Sequence, residues 1–320
     1  MTTARWTIKA GAAAGRIFTV MGVLTLAAVC TRGEMRPKRG YYISETNKHG
    51  VIEAEGWVAL DSVSNKYKHG TWVQRYSNGV MQMRVGYNRG RAEGKWTLYH
   101  PNGRKQLEGM YLDGKETGTF VGWFPCGRTQ SLTHFTRGKS AFAYTRWFRN
   151  GQKYSEGEIR GRKKVGTHYE WHPNGRLCFR ANFRDGREDG VCEGWYPNGV
   201  LKSQITYRDG IKTGRARTWY DSGRQSMEGV MSNGVENGEF TFWHRTGNIL
   251  GRGMYRGGER EGLWTFWDED GRRAREGMYV EGDENGVWTH YHPNGRIRMI
   301  VPYDLGYMKG TAMYYTAEGE

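Results

Sequence analysis

The sequence is poor in the residues that carry catalysis and metal binding. Four cysteines occur in 320 residues, at Cys30, Cys126, Cys178 and Cys192, and no two of them have the C-x-x-C spacing of a metal site. Neither a G-x-S-x-G nucleophile motif nor a phosphate-binding loop is present. We therefore expect no enzyme activity, no catalytic residue, no bound metal and no cofactor.

Hydrophobic residues are also scarce for a chain of this length. They make up 37% of the sequence, whereas aromatic residues alone reach 14%. We therefore expect the core to be a thin ladder of rings and not a thick aliphatic centre. No stretch between Gly70 and Glu320 has the pattern of a helix or of a second domain.

Glycine, by contrast, is abundant and strictly placed. The chain has 48 glycines, and a turn glycine recurs every 24 residues from Gly79 to Gly319 without any insertion. A second glycine lies nine residues before most of these turns, and a third lies eleven residues after them. A fixed period of this kind marks a repeat architecture. The clearest turn glycines are Gly103, Gly175, Gly199, Gly271 and Gly295.

An aromatic residue lies four positions before the turn glycine in nearly every repeat. Because it recurs at one phase of the period, we expect its ring to be packed inside the repeat and to have a structural role. The tryptophans of this column are Trp123, Trp147, Trp171, Trp195, Trp219, Trp243 and Trp267.

Each repeat has the signature of a β-hairpin. Two arms of five to seven residues, rich in Trp, Tyr, Thr and Val, flank a Pro-Asn-Gly turn. Asn-Gly tolerates the two positive φ angles of a type I′ turn. With Asn-Gly as the turn, the register places Trp96 opposite Gly109, Phe240 opposite Gly253 and Trp264 opposite Gly277. Each ring would then lie over a glycine of the paired strand.

The repeat pattern G-x-W-x-x-W/Y-x-P-N-G-R … G-x-Y-x-x-G resembles the MORN repeats. It is similar to the variant form found in bacterial YwqK-type proteins, which are often labelled antitoxins. The resemblance covers residues 70–320, and it implies contacts with proteins, assembly or lipid headgroups. The period and the arms together predict an all-β fold: an elongated single-sheet antiparallel meander, or solenoid, of about ten 24-residue hairpin repeats.

The first 30 residues differ from the rest. Arg5, Lys9 and Arg16 precede an apolar run of 13 residues at 17–29, which is short for a membrane span and typical of a signal peptide. Cys30 follows the run and is a candidate lipidation residue. We predict a signal peptide or lipoprotein signal at 1–30, a basic tether and N-terminal cap at 31–69, and the repeat array at 70–320. A cleaved signal without lipid, an uncleaved anchor and an unprocessed cytoplasmic N-terminus stay open.

Positive charge dominates the sequence. The formal net charge is +15 and the sequence pI is about 9.6; a signal carrying three basic residues would leave +12. An arginine row follows the turn glycine and could bind an anionic polymer or membrane surface. The alternative is that a solvated hairpin end simply carries a charged residue. The members of the row are Arg104, Arg128, Arg176, Arg224, Arg272 and Arg296.

Histidines and cysteines follow the period as well. A histidine column lies three residues before the turn glycine, and it alternates with Tyr and Phe, which indicates ring packing and not metal ligation. Cys178 and Cys192 fall on neighbouring strands about three residues out of register, or about 10 Å, which is too far for a disulfide. The histidines are His100, His172, His244 and His292.

These features predict a non-enzymatic repeat scaffold that binds a protein partner at the bacterial envelope. Two alternatives are binding of anionic lipid or polymer through the arginine row, and an antitoxin or immunity role, which only the resemblance implies. An end-to-end homodimer through open strand edges is a further candidate. Nucleic acid is not expected as a partner, because the aromatic rings are at packing positions.

Overall fold

The computed structural model describes residues 37, 39–136 and 141–319. The regular secondary structure of these residues consists of β-strands. Within each unit, the strands pair antiparallel as hairpins. The prediction of an all-β hairpin array is therefore confirmed. The chain divides into two compact units, unit 1 at Met1–Gln152 and unit 2 at Lys153–Glu320. Cys30 and the predicted signal segment lie outside the described residues.

The described residues of unit 1 form nine strands. They are β1 Gly40–Thr46, β2 Ile52–Leu60, β3 Lys66–Arg75, β4 Met81–Asn88, β5 Arg91–Tyr99, β6 Lys105–Leu112, β7 Lys115–Trp123, β8 Thr129–Phe135 and β9 Ala141–Trp147.

In residues 153–319, unit 2 contains 17 strands, and two pairs of these, β13 with β14 and β18 with β19, are separated by one residue only. They are β10 Lys153–Arg160, β11 Lys163–Trp171, β12 Leu177–Arg184, β13 Arg187–Glu188, β14 Gly190–Trp195, β15 Leu201–Arg208, β16 Ile211–Trp219, β17 Gln225–Ser232, β18 Val235–Glu236, β19 Gly238–Trp243, β20 Ile249–Arg256, β21 Glu259–Trp267, β22 Arg273–Val280, β23 Asp283–Tyr291, β24 Ile297–Asp304, β25 Tyr307–Met308 and β26 Met313–Tyr314.

The Pro-Asn-Gly turn is a three-residue loop and not the predicted type I′ turn. Gly103 N–H donates to the His100 carbonyl, His100 N–H donates to the Arg104 carbonyl, and only Gly103 has a positive φ, of 80°. This is a type I turn followed by a left-handed glycine, which forms a bulge. Proline suits the first central position of a type I turn, and the glycine supplies the left-handed residue that the bulge needs.

The type I′ turns lie at the other end of the strands. Asp113 and Gly114 have φ of 51° and 77°, and the flanking residues Leu112 and Lys115 pair directly. Aspartate tolerates the left-handed conformation better than most residues. Each repeat therefore has two strands and two different turns.

The predicted register is correct, but the ring that covers each glycine comes from the other neighbouring strand. Trp96 pairs with Gly109, and Trp264 pairs with Gly277. A Cβ built on Gly109, however, would meet the Phe120 ring of the following strand at 2.3 Å. Where this following strand joins, the ladder has a bulge at the glycine, and the bulge lets the ring lie flat against the backbone.

The core is built from these ring-and-glycine contacts. Trp264 and Trp288 are fully buried, and their Nε1–H groups donate to the carbonyls of Met254 and Met278 at 3.0 and 3.1 Å. The buried ring therefore also satisfies a carbonyl at the bulge. The contacts are Trp72 over Gly56, Phe120 over Gly109, His168 over Gly157, Phe240 over Gly229, Trp264 over Gly253 and Trp288 over Gly277.

In two successive repeats the ring position holds a small side chain in place of an aromatic one. Ala216 stands at the ring position, and its partner is Ile205 in place of glycine. Cys192 stands at the ring position of the preceding repeat and packs with Ala181. All of these except Ile205, which is partly buried, are buried. The small Ala216 at the ring position is therefore compensated by the larger Ile205 on the neighbouring strand.

The structure contains one hairpin repeat that the fixed period does not reveal. Gly50 N–H donates to the Asn47 carbonyl and Asn47 N–H to the Val51 carbonyl, as in the other three-residue loops. Six residues on, Gly56 lies under Trp72. Gly50 lies 29 residues before Gly79 and not 24, because the turn before β3 is a longer loop.

Candidate binding surfaces

The three-residue loops of consecutive repeats are joined by side-chain hydrogen bonds. The residue three before the turn glycine reaches the carbonyl of the aromatic residue in the next repeat. His172 Nε2 donates to the Trp195 carbonyl at 2.8 Å, and Tyr196 Oη donates to the Trp219 carbonyl at 2.9 Å. The same contact is made by Tyr76, His100, Tyr220, His244 and His292. These histidines and tyrosines therefore hold adjacent loops together.

The turn asparagines form a second set of such bonds. Asn102 Nδ2 donates to the Pro125 carbonyl at 2.9 Å, and Asn174 Nδ2 donates to the Pro197 carbonyl at 2.7 Å. The asparagine side chain thus spans from one loop to the next within each unit.

The arginine row lies on the same loops and has similar acceptors. Five of the six guanidinium groups donate to a backbone carbonyl of the next loop: Arg104 to Cys126, Arg128 to Arg149, Arg176 to Asn198, Arg224 to Arg245 and Arg296 to Glu318. Arg272 instead pairs with Asp268 and Asp270 in its own loop. Each of these contacts leaves part of the guanidinium in solvent. The predicted role of the row in binding anions stays a prediction.

The tryptophans four before the turn glycine are half-buried. The fully buried rings are those seven before it, such as Trp264 and Trp288. Trp171 stacks on Tyr169 with ring centroids 5.9 Å apart and lies under the Lys153 ammonium group. Five tryptophans of this column accept a side-chain hydrogen bond from the preceding loop at their backbone carbonyl: Trp123, Trp195, Trp219, Trp243 and Trp267.

An apolar row lies on the outward face of unit 2, opposite the buried rings. Four successive strands, β20 to β23, each contribute one side chain: Met254, Leu263, Met278 and Val287. Their exposed fractions are 47%, 57%, 44% and 59%. Leu263 and Met278 are directly opposite each other in the ladder. We call these four side chains the apolar row.

Polar side chains border the apolar row on both sides. Thr265 pairs with Glu276 on one side, at 3.4 Å between Oγ1 and Oε2. Glu261 and Asn285, which pair with Met254 and Met278, lie on the other side. An apolar centre with a polar border is the usual composition of a protein interface. Sequence reasoning missed this surface. Its signal was an apolar residue at two positions of the repeat: immediately before the buried ring, as at Leu263, and immediately after the glycine under the ring, as at Met254.

Net positive charge is concentrated in the N-terminal half of the sequence. Residues 1–152 hold 23 of the 48 lysines and arginines but only 9 of the 33 acidic residues, an excess of 14. Residues 153–320 hold 25 basic and 24 acidic residues, an excess of 1. Almost all of the net positive charge of the sequence therefore belongs to its first half.

The cysteines described by the structure are free thiols. Phe179 pairs with Gly194, so Cys178 and Cys192 are three residues out of register, as predicted. Burial raises the pKa of Cys192 to about 11. Cys126 is exposed in a loop, and its pKa is lowered, chiefly by a hydrogen bond from the Arg128 backbone.

His168 occupies the buried ring position of its repeat. Its Nε2–H donates to the Glu158 carbonyl at 2.9 Å, which is the bond that the indole makes elsewhere. Burial holds the pKa of His168 below its usual range. In residues 37, 39–136 and 141–319, no three His, Cys, Asp or Glu side chains converge as a metal site would require. Across the same residues, no helix is long and apolar enough to cross a membrane.

Three segments of the chain match a family model described as MORN repeat variant, at residues 92–113, 188–209 and 284–304. Successive segments start four 24-residue periods apart, and each begins eleven residues before a turn glycine. Three segments of the chain, each about one repeat long, are therefore similar to MORN variant repeats. No curated protein matches the chain.

The solved structures that the chain matches belong to much longer chains. The crystal structure of TcdB2-TccC3-TEV is 12% identical over 88% of this chain and 17% of its own, with a TM-score of 0.20. A Tc holotoxin pore of Photorhabdus luminescens is 10% identical over 86% of this chain and 22% of its own, with a TM-score of 0.16. This chain thus spans about a fifth of each, and likeness at these scores carries no functional argument.

Proposed function

We propose that these MORN variant repeats form a non-enzymatic scaffold that binds a protein partner, and that the apolar row is the surface it uses. The observation that carries the proposal is the exposure of Met254, Leu263, Met278 and Val287 on four successive strands. At a strand spacing of about 4.8 Å the row spans about 14 Å. Contiguous apolar patches of this kind are uncommon on surfaces that contact only water.

The test is capture of a partner by the tagged full-length chain and by two variants. Leu263→Glu places a charge in the centre of the row and should lower affinity for the captured protein at least tenfold, or about 1.4 kcal/mol, because the carboxylate would be buried without a partner. Val235→Glu is the matched control, since Val235 is exposed in unit 2 but lies at a turn away from the row. Equal affinity of both variants would refute the proposal. A toxin as the captured protein would favour the immunity role.

Binding of an anionic lipid or polymer through the arginine row is the second candidate. Its support is the recurrence of arginine at one position of the loops within each unit. Replacing Arg176, Arg224 and Arg272 by Gln should weaken binding to phosphatidylserine vesicles and flatten its salt dependence. Unchanged vesicle binding would exclude this candidate.

We also propose that the chain is exported and acts at the cell envelope. The support is the basic segment, the apolar run and Cys30 in the first 30 residues. Cys30→Ser should release the protein from the membrane fraction if Cys30 is lipidated. Recovery of wild type in the cytoplasm with an intact N-terminus would refute export. Sedimentation of the purified chain tests the end-to-end homodimer, for which a single monomeric species would be the negative result.

A further inference from the structure

A depression of about 410 Å³ lies on the outward face of unit 1. Its lining residues are Thr71, Arg84, Gly86, Glu93 and Lys95. Gly86 stands seven residues after its turn glycine, where other repeats place an exposed methionine or valine on this face, such as Met110, Val230, Met254 and Met278. The missing side chain leaves the floor of the depression as bare backbone.

The repeats themselves indicate what an arginine in this position binds. Arg180 and Arg252 occupy the same place as Arg84, five residues after the turn glycine. Arg180 Nε donates to Glu193 at 2.8 Å, and Arg252 Nε donates to Glu239 at 2.5 Å. Glu193 lies on the strand after Arg180, six residues before the turn glycine Gly199. Glu239 lies on the strand before Arg252, eight residues before the turn glycine Gly247.

Around Arg84 those acids are absent. The corresponding positions on the two flanking strands are occupied by Val73 and Thr97, which pair with Arg84, and by Thr71 and Lys95. No described carboxylate lies within ion-pair distance of the exposed Arg84 guanidinium. This repeat therefore has the cation of a familiar ion pair without its anion.

The other charged groups of the depression are already engaged. Glu93 Oε2 accepts the backbone N–H of Asp113 at 2.8 Å. Lys95 lies 3.0 Å from Glu108, which it shares with Lys105 at 2.6 Å. Two lysines therefore share one carboxylate, and the neighbourhood of Arg84 keeps a positive excess.

We propose that this depression binds a carboxylate side chain of an acidic peptide segment, with Arg84 as its principal contact. A planar guanidinium can bind both carboxylate oxygens, and the Thr71 hydroxyl can donate a further hydrogen bond. Residues 31–152, without the three basic residues of the predicted signal segment, hold 20 basic and 9 acidic residues, and this excess of 11 attracts such a segment. The proposal rests on the proposed function, in that the peptide belongs to a protein partner, and it names a second contact in unit 1.

The experiment measures fluorescence anisotropy of a fluorescein-labelled octaglutamate peptide with the full chain, with octaglutamine as the neutral probe. Arg84→Gln should weaken octaglutamate binding at least fivefold. Thr71→Leu should also weaken it, because leucine fills part of the depression without changing charge. Arg252→Gln is the matched control: it removes the same charge from the same repeat position, where the arginine already has its acid. It should change binding less than twofold.

Several outcomes would overturn the proposal. They are equal effects of Arg84→Gln and Arg252→Gln, tight binding of octaglutamine, no binding of octaglutamate, or displacement of the peptide by millimolar inorganic phosphate, which would indicate a general anion site. Thermal unfolding by circular dichroism should be unchanged in Arg84→Gln, since Arg84 is exposed. If the wild-type chain does not bind octaglutamate but Leu263→Glu still weakens capture of the protein partner, only this inference is refuted. If octaglutamate binds through Arg84 but Leu263→Glu and Val235→Glu capture the protein partner equally well, only the proposed function of the apolar row is refuted.

Discussion

Exchanging residue sizes at one ring-and-glycine contact would test what holds the repeats together. Trp264 lies over Gly253, and a Cβ on that glycine would fall 2.3 Å from the ring. Elsewhere in unit 2 the same two positions are occupied by Ala216 and Ile205. Trp264→Ala and Gly253→Ile should each destabilise the protein. The double variant reproduces a pair that the unit already contains, so its second substitution should be stabilising.

The magnitudes follow from burial. Trp264 is fully buried, so its truncation should cost about 3–5 kcal/mol. Loss of its hydrogen bond to the Met254 carbonyl adds about 1 kcal/mol. Gly253→Ile in the wild type should cost about 1–3 kcal/mol, because the ring or the strand has to move. In the Trp264→Ala background, the isoleucine side chain fills the volume that the indole has left. A coupling free energy of up to about 3 kcal/mol should then make Gly253→Ile stabilising and not destabilising.

Urea unfolding followed by far-ultraviolet circular dichroism measures all four proteins, since loss of a tryptophan alters fluorescence. Gly253→Ile in a Trp288→Ala background is the control, because the Trp288 ring lies over Gly277 and not over Gly253. There isoleucine should stay destabilising. If Gly253→Ile lowers the stability of Trp264→Ala as much as that of wild type, size matching is not what the contact requires.

Three further predictions concern single side chains. Tyr220→Phe removes the O–H that donates to the Trp243 carbonyl at 2.6 Å, and should lower the unfolding free energy by about 1 kcal/mol; an unchanged urea midpoint would contradict the loop-to-loop role. Burial holds the pKa of His168 low, so the unfolded chain binds the proton more readily and stability should fall as pH drops below about 6.5. His168→Trp should make that loss shallower, and identical pH profiles would be evidence against the assignment. Cys126 is exposed with a lowered pKa, whereas the pKa of Cys192 is raised to about 11, so Cys126→Ser should remove a fast-reacting thiol at neutral pH, and an undiminished fast phase would be inconsistent with this.

The fold could be predicted because the period constrains so much. The ring position lies at a constant distance in sequence from the turn glycine. This constant distance predicts the observed register, in which Trp96 pairs with Gly109. The turn type was wrong because Asn-Gly also fits a loop in which only the glycine is left-handed. Pro101 favours the three-residue loop, because its fixed φ suits the type I turn that precedes Gly103.

Other features depend on contacts that a period cannot express. The hairpin at Gly50 was missed because its spacing to Gly79 is five residues too long. Asp61 stabilises the longer loop by accepting the N–H groups of Val63 and Asn65 at 3.0 and 2.7 Å. Gly56 and Trp72 repeat the ring-and-glycine pair, and that pair, more than the period, identifies the repeat.

The arginine row shows a different limit. Its position and its spacing are visible in the sequence, but its acceptors are backbone carbonyls of the next loop, as for Arg224 and the Arg245 carbonyl at 2.8 Å. A carbonyl acceptor leaves no side-chain signal. Arg84 is the opposite case. Arg180 and Arg252, at the same repeat position, each pair with a glutamate on a neighbouring strand. Once the strand register is known, the sequence shows that the strands beside Arg84 lack a glutamate at those positions.

The two faces of the repeat are therefore under different constraints. On the buried face, the sizes of ring and glycine must match between strands, and at the loops side chains must reach the next carbonyl. On the outward face, the residue before the buried ring needs only to pair across strands, and it varies from Arg215 to Glu239 to Leu263. Recognition can change there without loss of the fold. Outward substitutions such as Arg84→Gln should therefore weaken binding without lowering the free energy of unfolding. Trp264→Ala should lower the free energy of unfolding and leave binding unchanged as long as the strand stays folded.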